Sequence, residues 1–275
     1  MLQPYATPIE RLWYFGLRAL VALVLMFLVL PILVIIPLSF NADSFLMYPM
    51  TGWSLRWYEE IFSNPAWQRA ITNSLIISPL ATLLAMVLGT LAAIGLVRAN
   101  FRGKALLVAV LISPMVVPVV IVAVAMYIAF APLGLTGSYT GLVLAHAVLG
   151  VPFVVTTVTA TLQGFDFNLV RAASSLGANP IVTFFKVTLP QVAPGVISGG
   201  LFAFAISFDE VVVTLFLASP EQVTLPRQMF SGIRENISPA IAAVATILII
   251  LSTLMLLTLE WLRRRNERLR GVKPA

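Results

Sequence analysis

Apolar residues fill six long stretches of the chain, and polar residues collect in the segments between them. A bilayer core about 30 Å thick needs about 20 apolar residues per helix, and each stretch has that length. The pattern predicts an all-α, polytopic membrane protein with six transmembrane helices. The predicted spans are approximately Leu17–Phe40, Ile71–Val97, Ala105–Phe130, Tyr139–Leu162, Val192–Leu217 and Pro239–Leu262. The prolines of "ISPMVVPVVIV" predict a kinked or unwound segment within the third span.

Composition supports this prediction and excludes several kinds of site. Apolar residues make up 60% of the chain and charged residues 10%, against about 25% charged residues in soluble domains. Cysteine is absent, which excludes disulfides, cysteine-based metal sites and a thiol nucleophile. With one histidine as well, we expect no metal site. The first stretch has no small-residue cleavage site and is too long for a signal peptide, so we expect a retained helix.

The basic residues predict the orientation of the spans. Of the 17 lysine and arginine residues, 13 fall on one side of the predicted bilayer and four on the other. The side richer in positive charge is the cytoplasmic one, so both termini are predicted to be cytoplasmic. Residues 1–16 would form a cytoplasmic segment, residues 17–262 the membrane domain, and residues 263–275 a basic tail beside anionic lipid headgroups. Topology thus accounts for the net charge of +6, and we expect no nucleic-acid partner.

The longest predicted cytoplasmic segment, residues 163–191, reads as two short helices. Asp166 can cap a helix that starts at Phe167, and Gly177 can supply a left-handed stop. Asn179 can cap a second helix with Pro180 at its first position, and Leu189-Pro190 is expected to end it. Such a pair would expose apolar side chains to the cytoplasm, which is typical of an interaction site. The alternative is an ordinary connector lying on the membrane surface.

The spacing in this segment resembles the cytoplasmic "EAA" loop of bacterial ABC importer permeases. "RAASSLG", nine residues and "VTLP" match the family pattern E-A-A, three residues, G, nine residues, I-x-L-P. Arg171 stands in place of the glutamate, and Val187 in place of the isoleucine. The resemblance implies that this loop couples the permease to a separate ATPase. The residues implied in coupling are Arg171, Ala172, Ala173, Gly177, Ala178, Val187, Leu189 and Pro190.

Segments outside the loop are similar to the polyamine-type branch of this family, specifically to the second of its two permease subunits. "LAHAVLGVPFVV" and "FAFAISFDEVVVTLFL" carry this similarity, which extends roughly from Ala70 to Arg265. It implies the MetI-like fold of type I ABC importer permeases, in a bacterial inner membrane. It also implies a heterodimer with a homologous permease subunit, two ATPase subunits and an extracytoplasmic solute-binding protein. This chain lacks a G-x-x-x-x-G-K-[ST] loop, so we expect ATP and Mg²⁺ in the ATPase and no cofactor in the permease.

Two acids inside the predicted fifth span are the first candidates for the translocation path. An aspartate at the centre of a membrane helix costs about 2.5–3.5 kcal/mol on translocon scales, so Asp209 and Glu210 should face the bundle interior, water or a cation. A structural pair at a subunit interface is the alternative. Phe204 and Phe208, four residues apart, are candidates for an apolar gate or for core packing. His146 is a further gate candidate, although a lone histidine in a bundle is more often a packing residue.

The sequence therefore predicts a permease that is not itself an enzyme. The acids favour a cationic amine such as putrescine or spermidine as substrate. Alternatives are an importer of another solute, such as a phosphonate, and a self-sufficient ion-coupled transporter or channel, for which only Asp209 and Glu210 could bind the ion. An intramembrane enzyme is disfavoured because G-x-S-x-G is absent and no serine–histidine pair is evident.

Overall fold

The computed structural model describes residues 7–235 and 237–269, which are almost entirely helical. In this part of the chain the only extended pairing is a single bridge between Asn41 and Trp53, which confirms the all-α prediction. The helices are α1 (Pro8–Leu38), α2 (Arg56–Ser63), α3 (Pro65–Arg98), α4 (Lys104–Val116), α5 (Val119–Phe130), α6 (Tyr139–Leu162), α7 (Asn168–Ser175), α8 (Pro180–Thr183), α9 (Leu189–Phe208), α10 (Val212–Leu217), α11 (Leu225–Glu235) and α12 (Pro239–Leu269). Short 3-10 turns cover Ala131–Leu133 and Pro220–Gln222.

The described residues form two compact units. One unit runs from Pro65 to Phe230, and the other joins the residues up to Asn64 with those from Ser231 on. In the second unit α12 packs against α1 and α2. The loop before α2 is fixed by Trp57, whose indole N–H donates to the Asn41 carbonyl oxygen at 2.8 Å.

Most of the predicted spans appear as long apolar helices, and the count of six is approximate. By length and composition, four helical stretches of the described chain can cross a membrane, namely α1, α3, α6 and Pro180–Phe208. The bent pair α4–α5 makes a fifth if the two helices are counted as one broken span, and the described apolar part of α12, Pro239–Leu254, is shorter. Of the predicted terminal segments, residues 1–6 and 270–275 lie outside the described residues.

One predicted boundary, at the start of the chain, needs correction, and one predicted kink is observed. Helix α1 begins at Pro8 rather than near Leu17, because Thr7 and Glu10 form a reciprocal capping box that satisfies two amide donors. The third span is not one straight helix, since α4 and α5 are bent by 113°. The bend falls at Val117-Pro118, and Pro118 cannot continue the hydrogen bonding of α4. The kink predicted for "ISPMVVPVVIV" is therefore confirmed.

The predicted fifth span is also wrong as a single helix. Helix α9 ends at Phe208, and α10 begins only at Val212. The intervening residues 209–211 form a break, so Asp209 and Glu210 lie between two helices rather than inside one. We call this segment, with the ends of the two helices, the α9–α10 break.

Helices α3, α6 and α9 form the packed centre of the Pro65–Phe230 unit. A Cβ added at Gly199 would lie 2.7 Å from the Cα of Val154, and one added at Gly200 would lie 2.6 Å from the Met86 sulfur. The contact at Gly199 requires glycine, because no side chain fits where two backbones are this close, whereas at Gly200 the flexible Met86 side chain would have to shift. Gly199 and Gly200 thus lie where α9 packs against α6 and α3. A second apolar cluster joins α5, α6 and α10 and includes Met126 and Leu142.

Candidate functional site

The segment 163–191 folds as the predicted helix–turn–helix. Asn168 begins α7, and its backbone N–H donates to the Asp166 carboxylate at 2.9 Å, one residue later than predicted. The second helix starts as expected, with the Val182 N–H donating to the Asn179 side chain at 2.8 Å and Pro180 at its first position. Asn179 is thus the N-cap of the second helix, whereas Asp166 precedes the N-cap of the first and bonds to its first N–H.

The turn between the two helices has a backbone conformation that favours glycine at position 177. Gly177 has a φ of +83°, a left-handed conformation that glycine adopts without a Cβ penalty. Its N–H donates to the Ser174 carbonyl, and the N–H of Ala178 donates to the Ala173 carbonyl, both at 3.0 Å. This pair of bonds is the Schellman motif, which satisfies the last carbonyls of a helix. Three of the residues implied in coupling thus take part in one turn.

The end predicted at Leu189-Pro190 is wrong. Helix α8 continues through one π-helical turn, Phe184–Thr188, directly into α9, and Pro190 lies in the first turn of α9. Proline crowds the carbonyl four residues before it, which here belongs to Lys186 within the π turn. The wider turn accommodates the ring, so the second half of the segment is already the start of the next membrane helix.

The helix–turn–helix presents large apolar side chains to its surroundings. Leu176 is 88% exposed, Ile181 69% and Phe185 60%. Arg171 and Ala172 are exposed, whereas Ala173, Ala178, Val187 and Leu189 are partly buried. Exposed apolar side chains this close together in the chain are typical of a surface that binds another protein.

The α9–α10 break is the second candidate, and its two acids play different parts. The Glu210 carboxylate accepts a hydrogen bond of 2.8 Å from the Val213 N–H, which places it on the first turn of α10. A negative charge there satisfies an orphan donor and suits the positive end of the helix. The Asp209 side chain is exposed and bonds to no other described residue. Of the two acids, Asp209 is the one whose carboxylate is available to a ligand.

His146 holds the two sides of this break together. Its side chain is 1% exposed, and Nδ1 lies 3.1 Å from the Ser207 carbonyl oxygen and 2.9 Å from the Ser207 hydroxyl. A carbonyl oxygen only accepts, so Nδ1 carries a hydrogen and donates it. Nε2 is hydrogen-bonded to the Thr214 hydroxyl on α10 at 3.2 Å. His146 on α6 therefore joins the last turn of α9 to α10, which fits a structural role better than a path-lining one.

Arg227 closes the other end of α10. Its guanidinium donates to the carbonyl oxygens of Ala218 at 3.1 Å and Thr214 at 3.3 Å. Burial lowers the pKa of the Arg227 guanidinium, which nevertheless stays charged at neutral pH. A positive charge beside the last carbonyls stabilises a helix C-terminus. The short α10 thus has an acid at its start and a base at its end.

The two phenylalanines of the predicted gate stack on each other at the end of α9. The ring centroids of Phe204 and Phe208 are 5.4 Å apart with an interplanar angle of 25°, and both side chains are partly buried. A stack of this kind can either close a path or pack a core, so the gate role stays a prediction.

Sequence reasoning missed Arg227, Ser207 and Thr214 as parts of this site. Their partners lie 9 to 68 residues away along the chain, so no local pattern marks them. The break itself has neither glycine nor proline. The one usable signal is the acid three residues before Val213, because acids favour the first turn of a helix.

The described chain combines several membrane-crossing helices, an apolar helix–turn–helix and a helix that is broken at two acids. This combination defines a class of protein, the polytopic transport permeases. The chain matches the family described as "Binding-protein-dependent transport system inner membrane component" over residues 85–268. It belongs to that family, and it is a multi-pass inner-membrane permease subunit of an ABC importer. This membership favours an importer over a self-sufficient transporter.

Curated relatives cover most of the chain. The spermidine/putrescine transport system permease protein PotC of Haemophilus influenzae is 34% identical over 92% of this chain and 98% of its own length. The putrescine transport system permease protein PotI of Escherichia coli is 34% identical over 81% of this chain and 82% of its own length. The molybdenum transport system permease protein ModB of Escherichia coli is 36% identical over 77% of this chain and 99% of its own length. All three are transport permeases.

Solved structures share the fold. A chain of a bacterial ABC transporter involved in the import of the acidic polysaccharide alginate has a TM-score of 0.73 and 14% identity, covering 95% of this chain and 99% of that one. A structure of a bacterial alginate ABC transporter with an alginate pentasaccharide-bound periplasmic protein has a TM-score of 0.65 and 16% identity, covering 97% and 98%. At such identities the likeness concerns the fold alone, and it confirms the predicted permease fold.

Proposed function

We propose that this permease imports a polyamine, such as putrescine or spermidine, with both of its termini in the cytoplasm. The observation that carries the proposal is the 34% identity to PotC over 92% of the chain. The similarity is not confined to the family's common loop, because it extends over nearly the whole of both proteins. A solute-binding protein outside the membrane would deliver the polyamine to the permease.

The exposed carboxylate of Asp209 supports a cationic substrate. It follows the stacked rings of Phe204 and Phe208 directly in the chain, and it bonds to no other described residue. An ionised acid at membrane depth is costly unless water or a cation meets it, and a protonated amine is such a cation. In this proposal Asp209 guides the amine, Glu210 holds α10 in place, and the two phenylalanines narrow the path.

The segment 163–191 would couple this path to ATP hydrolysis. The exposed Leu176 and Ile181 would sit in a cleft of an ATPase subunit, which holds ATP and Mg²⁺. Because α8 runs through the π turn into α9, a movement imposed on this surface would pass along α9 to the α9–α10 break. Two ATPase subunits and a second, homologous permease subunit would complete the importer.

An importer of an oxyanion is the second candidate, and a specific observation favours it. ModB, a molybdenum transport permease, is 36% identical, which is as high as the identity of the polyamine permeases. Identity alone therefore does not separate a cationic from an anionic substrate. In this case Asp209 would be part of a gate or of a subunit interface rather than a guide for the solute.

Binding and uptake measured together test the proposal. The solute-binding protein encoded beside this chain is screened by thermal shift against putrescine, spermidine, basic amino acids, phosphonates, molybdate and ferric iron. Uptake of the stabilising solute is then measured in cells with and without this permease. We expect stabilisation by polyamines only, and permease-dependent uptake of the same compound. Stabilisation by molybdate or a phosphonate would overturn the polyamine proposal and leave the importer intact.

A further inference from the structure

A cavity of about 280 Å³ lies between the ends of α3, α4 and α6 that adjoin the segment 163–191. From α4 it is lined by Lys104, Val108 and Ile112, which are four residues apart and share one face of the helix. The remaining lining residues are Leu96, Val97, Val155, Thr156, Thr159, Ala160 and Gln163. None of these acts in the path or the coupling surface described above.

The polarity of the cavity changes along its depth. Lys104 and Gln163 lie at the end where α4 begins and α6 finishes. Ile112 and Val155 lie about two helical turns deeper, and the Thr156 hydroxyl there donates to the carbonyls of Pro152 and Phe153. From Lys104 to Ile112 the helix rises about 12 Å. That is close to half of a hydrocarbon core of about 30 Å, the depth of one leaflet.

The polar end of the cavity favours an anion. The Lys104 ammonium donates one hydrogen bond, to the Ala99 carbonyl at 3.1 Å, and has two further hydrogens to donate. Helix α4 starts beside it after Gly103, without a side-chain cap, so the positive end of the helix dipole points to the same place. Among the lining residues, all in the described part of the chain, none is acidic.

We propose that this cavity binds an anionic phospholipid of the cytoplasmic leaflet, with the headgroup phosphate at Lys104 and an acyl chain along Val108 and Ile112. The cavity has a charged end at the level of the lipid headgroups, and its apolar wall extends through about the depth of one leaflet. A phospholipid has the same arrangement of a charged headgroup and apolar acyl chains. Basic pockets between membrane helices on the cytoplasmic side are suited to acidic headgroups. The proposal is independent of which solute the importer carries.

The test is lipid retention by the intact importer complex, purified with its native partner subunits and measured by native mass spectrometry. The probes are dioleoyl phosphatidylglycerol and dioleoyl phosphatidylcholine, which differ in charge but share their acyl chains. One basic side chain near the surface is worth roughly a fivefold preference for an acidic lipid. We expect that preference in the wild-type complex and its loss in Lys104→Gln.

Matched variants separate the cavity from the rest of the basic surface. Arg102→Gln removes the same charge two residues away, from an exposed side chain outside the cavity. Ala160→Phe fills the cavity without changing charge, and Ala109→Phe adds the same ring to an exposed site outside it. We expect Lys104→Gln to lose the preference for phosphatidylglycerol and Ala160→Phe to lose both lipids, and we expect Arg102→Gln and Ala109→Phe to retain phosphatidylglycerol as the wild type does.

Three results would overturn the proposal. One is equal retention of the two lipids by the wild-type complex. Another is an equal loss in Arg102→Gln and Lys104→Gln, which would mean a diffuse surface effect. The third is a wild-type complex that holds no lipid while Ala160→Phe separates its subunits on size-exclusion chromatography, because a partner subunit would then occupy the cavity.

Discussion

The segment 163–191 and the α9–α10 break both interrupt long helices, but they are held in different ways. In the segment, Asp166, Gly177 and Asn179 satisfy backbone groups within five residues of themselves, and the apolar side chains point outward. At the break, His146 and Arg227 reach backbone groups on other helices, and their polar contacts point inward. The turn and the helix starts of the segment are therefore held by local bonds, although Phe165 and Phe167 pack against the core of the bundle. The break, by contrast, depends on other helices for its shape.

The largest effect on transport is expected from a substitution in the exposed apolar surface of the segment 163–191. In Leu176→Asp, a charge replaces a side chain that is 88% exposed, so the permease itself loses almost no packing. If the surface is buried in an ATPase, losing a buried leucine costs about 1.5–3 kcal/mol, which is roughly a 10- to 100-fold weaker association. We expect uptake to be nearly abolished and the ATPase to be lost on purification, with an unchanged melting temperature of the permease.

Asn100→Asp provides the control for Leu176→Asp. Asn100 is exposed on the short loop between α3 and α4, and the substitution adds the same charge outside the segment. Uptake should remain near the wild-type level. Normal uptake in Leu176→Asp would mean that the exposed apolar residues do not couple the permease to its ATPase.

A smaller effect is expected at the α9–α10 break, where a substitution should lower the stability of the permease itself. His146→Leu removes the imidazole donor of the Ser207 carbonyl and leaves the Thr214 hydroxyl with only its bond to the Glu210 carbonyl. A buried polar group left unpaired costs about 1–3 kcal/mol. We expect a lower melting temperature of the complex and reduced uptake together. Thermal unfolding in detergent, followed by an uptake assay in cells, measures both.

Two threonine variants sharpen the prediction for His146. Thr214→Val removes the partner of Nε2 together with the bond from the Thr214 hydroxyl to the Glu210 carbonyl, and it should cost about 1 kcal/mol. Thr156→Val removes a hydroxyl that bonds within its own helix and should change stability by less. If His146→Leu melted at the wild-type temperature, the hydrogen bonds that it forms would not hold the break.

The difference between local bonds in the segment 163–191 and bonds to other helices at the break explains which features could be predicted from the sequence. Asp166, Gly177 and Asn179 act on neighbouring residues, so their spacing reveals the turn and both helix starts. The π turn before Pro190 could not be predicted, because proline usually ends a helix and its accommodation depends on backbone geometry. The break could not be predicted either, since an apolar run from Val192 to Leu217 has the composition of one span. Apart from the local bond to Glu210, the contacts that hold it come from helices that lie close only after folding.

The smallest effects are expected at Asp209 and Glu210. Loss of the carboxylate should affect stability at Glu210 and transport at Asp209. Glu210→Ala removes the acceptor of the Val213 N–H, and losing a helix cap costs about 1 kcal/mol. The Asp209 carboxylate bonds to no other described residue, so Asp209→Asn should leave the melting temperature unchanged.

The effect of Asp209→Asn should instead appear in transport, and only for a cationic solute. Replacing the carboxylate with an amide of the same shape removes the charge that would attract the amine, and we expect uptake to fall several-fold while the complex stays assembled. Measuring uptake at low and saturating external polyamine separates the two roles, because a guide for the cation should matter most at low concentration. Glu210→Ala, by contrast, should lower uptake equally at both concentrations, through the loss of α10. Normal uptake in Asp209→Asn at every concentration would leave Asp209 without a role in the path. The break would then be a structural joint held by His146, Glu210 and Arg227.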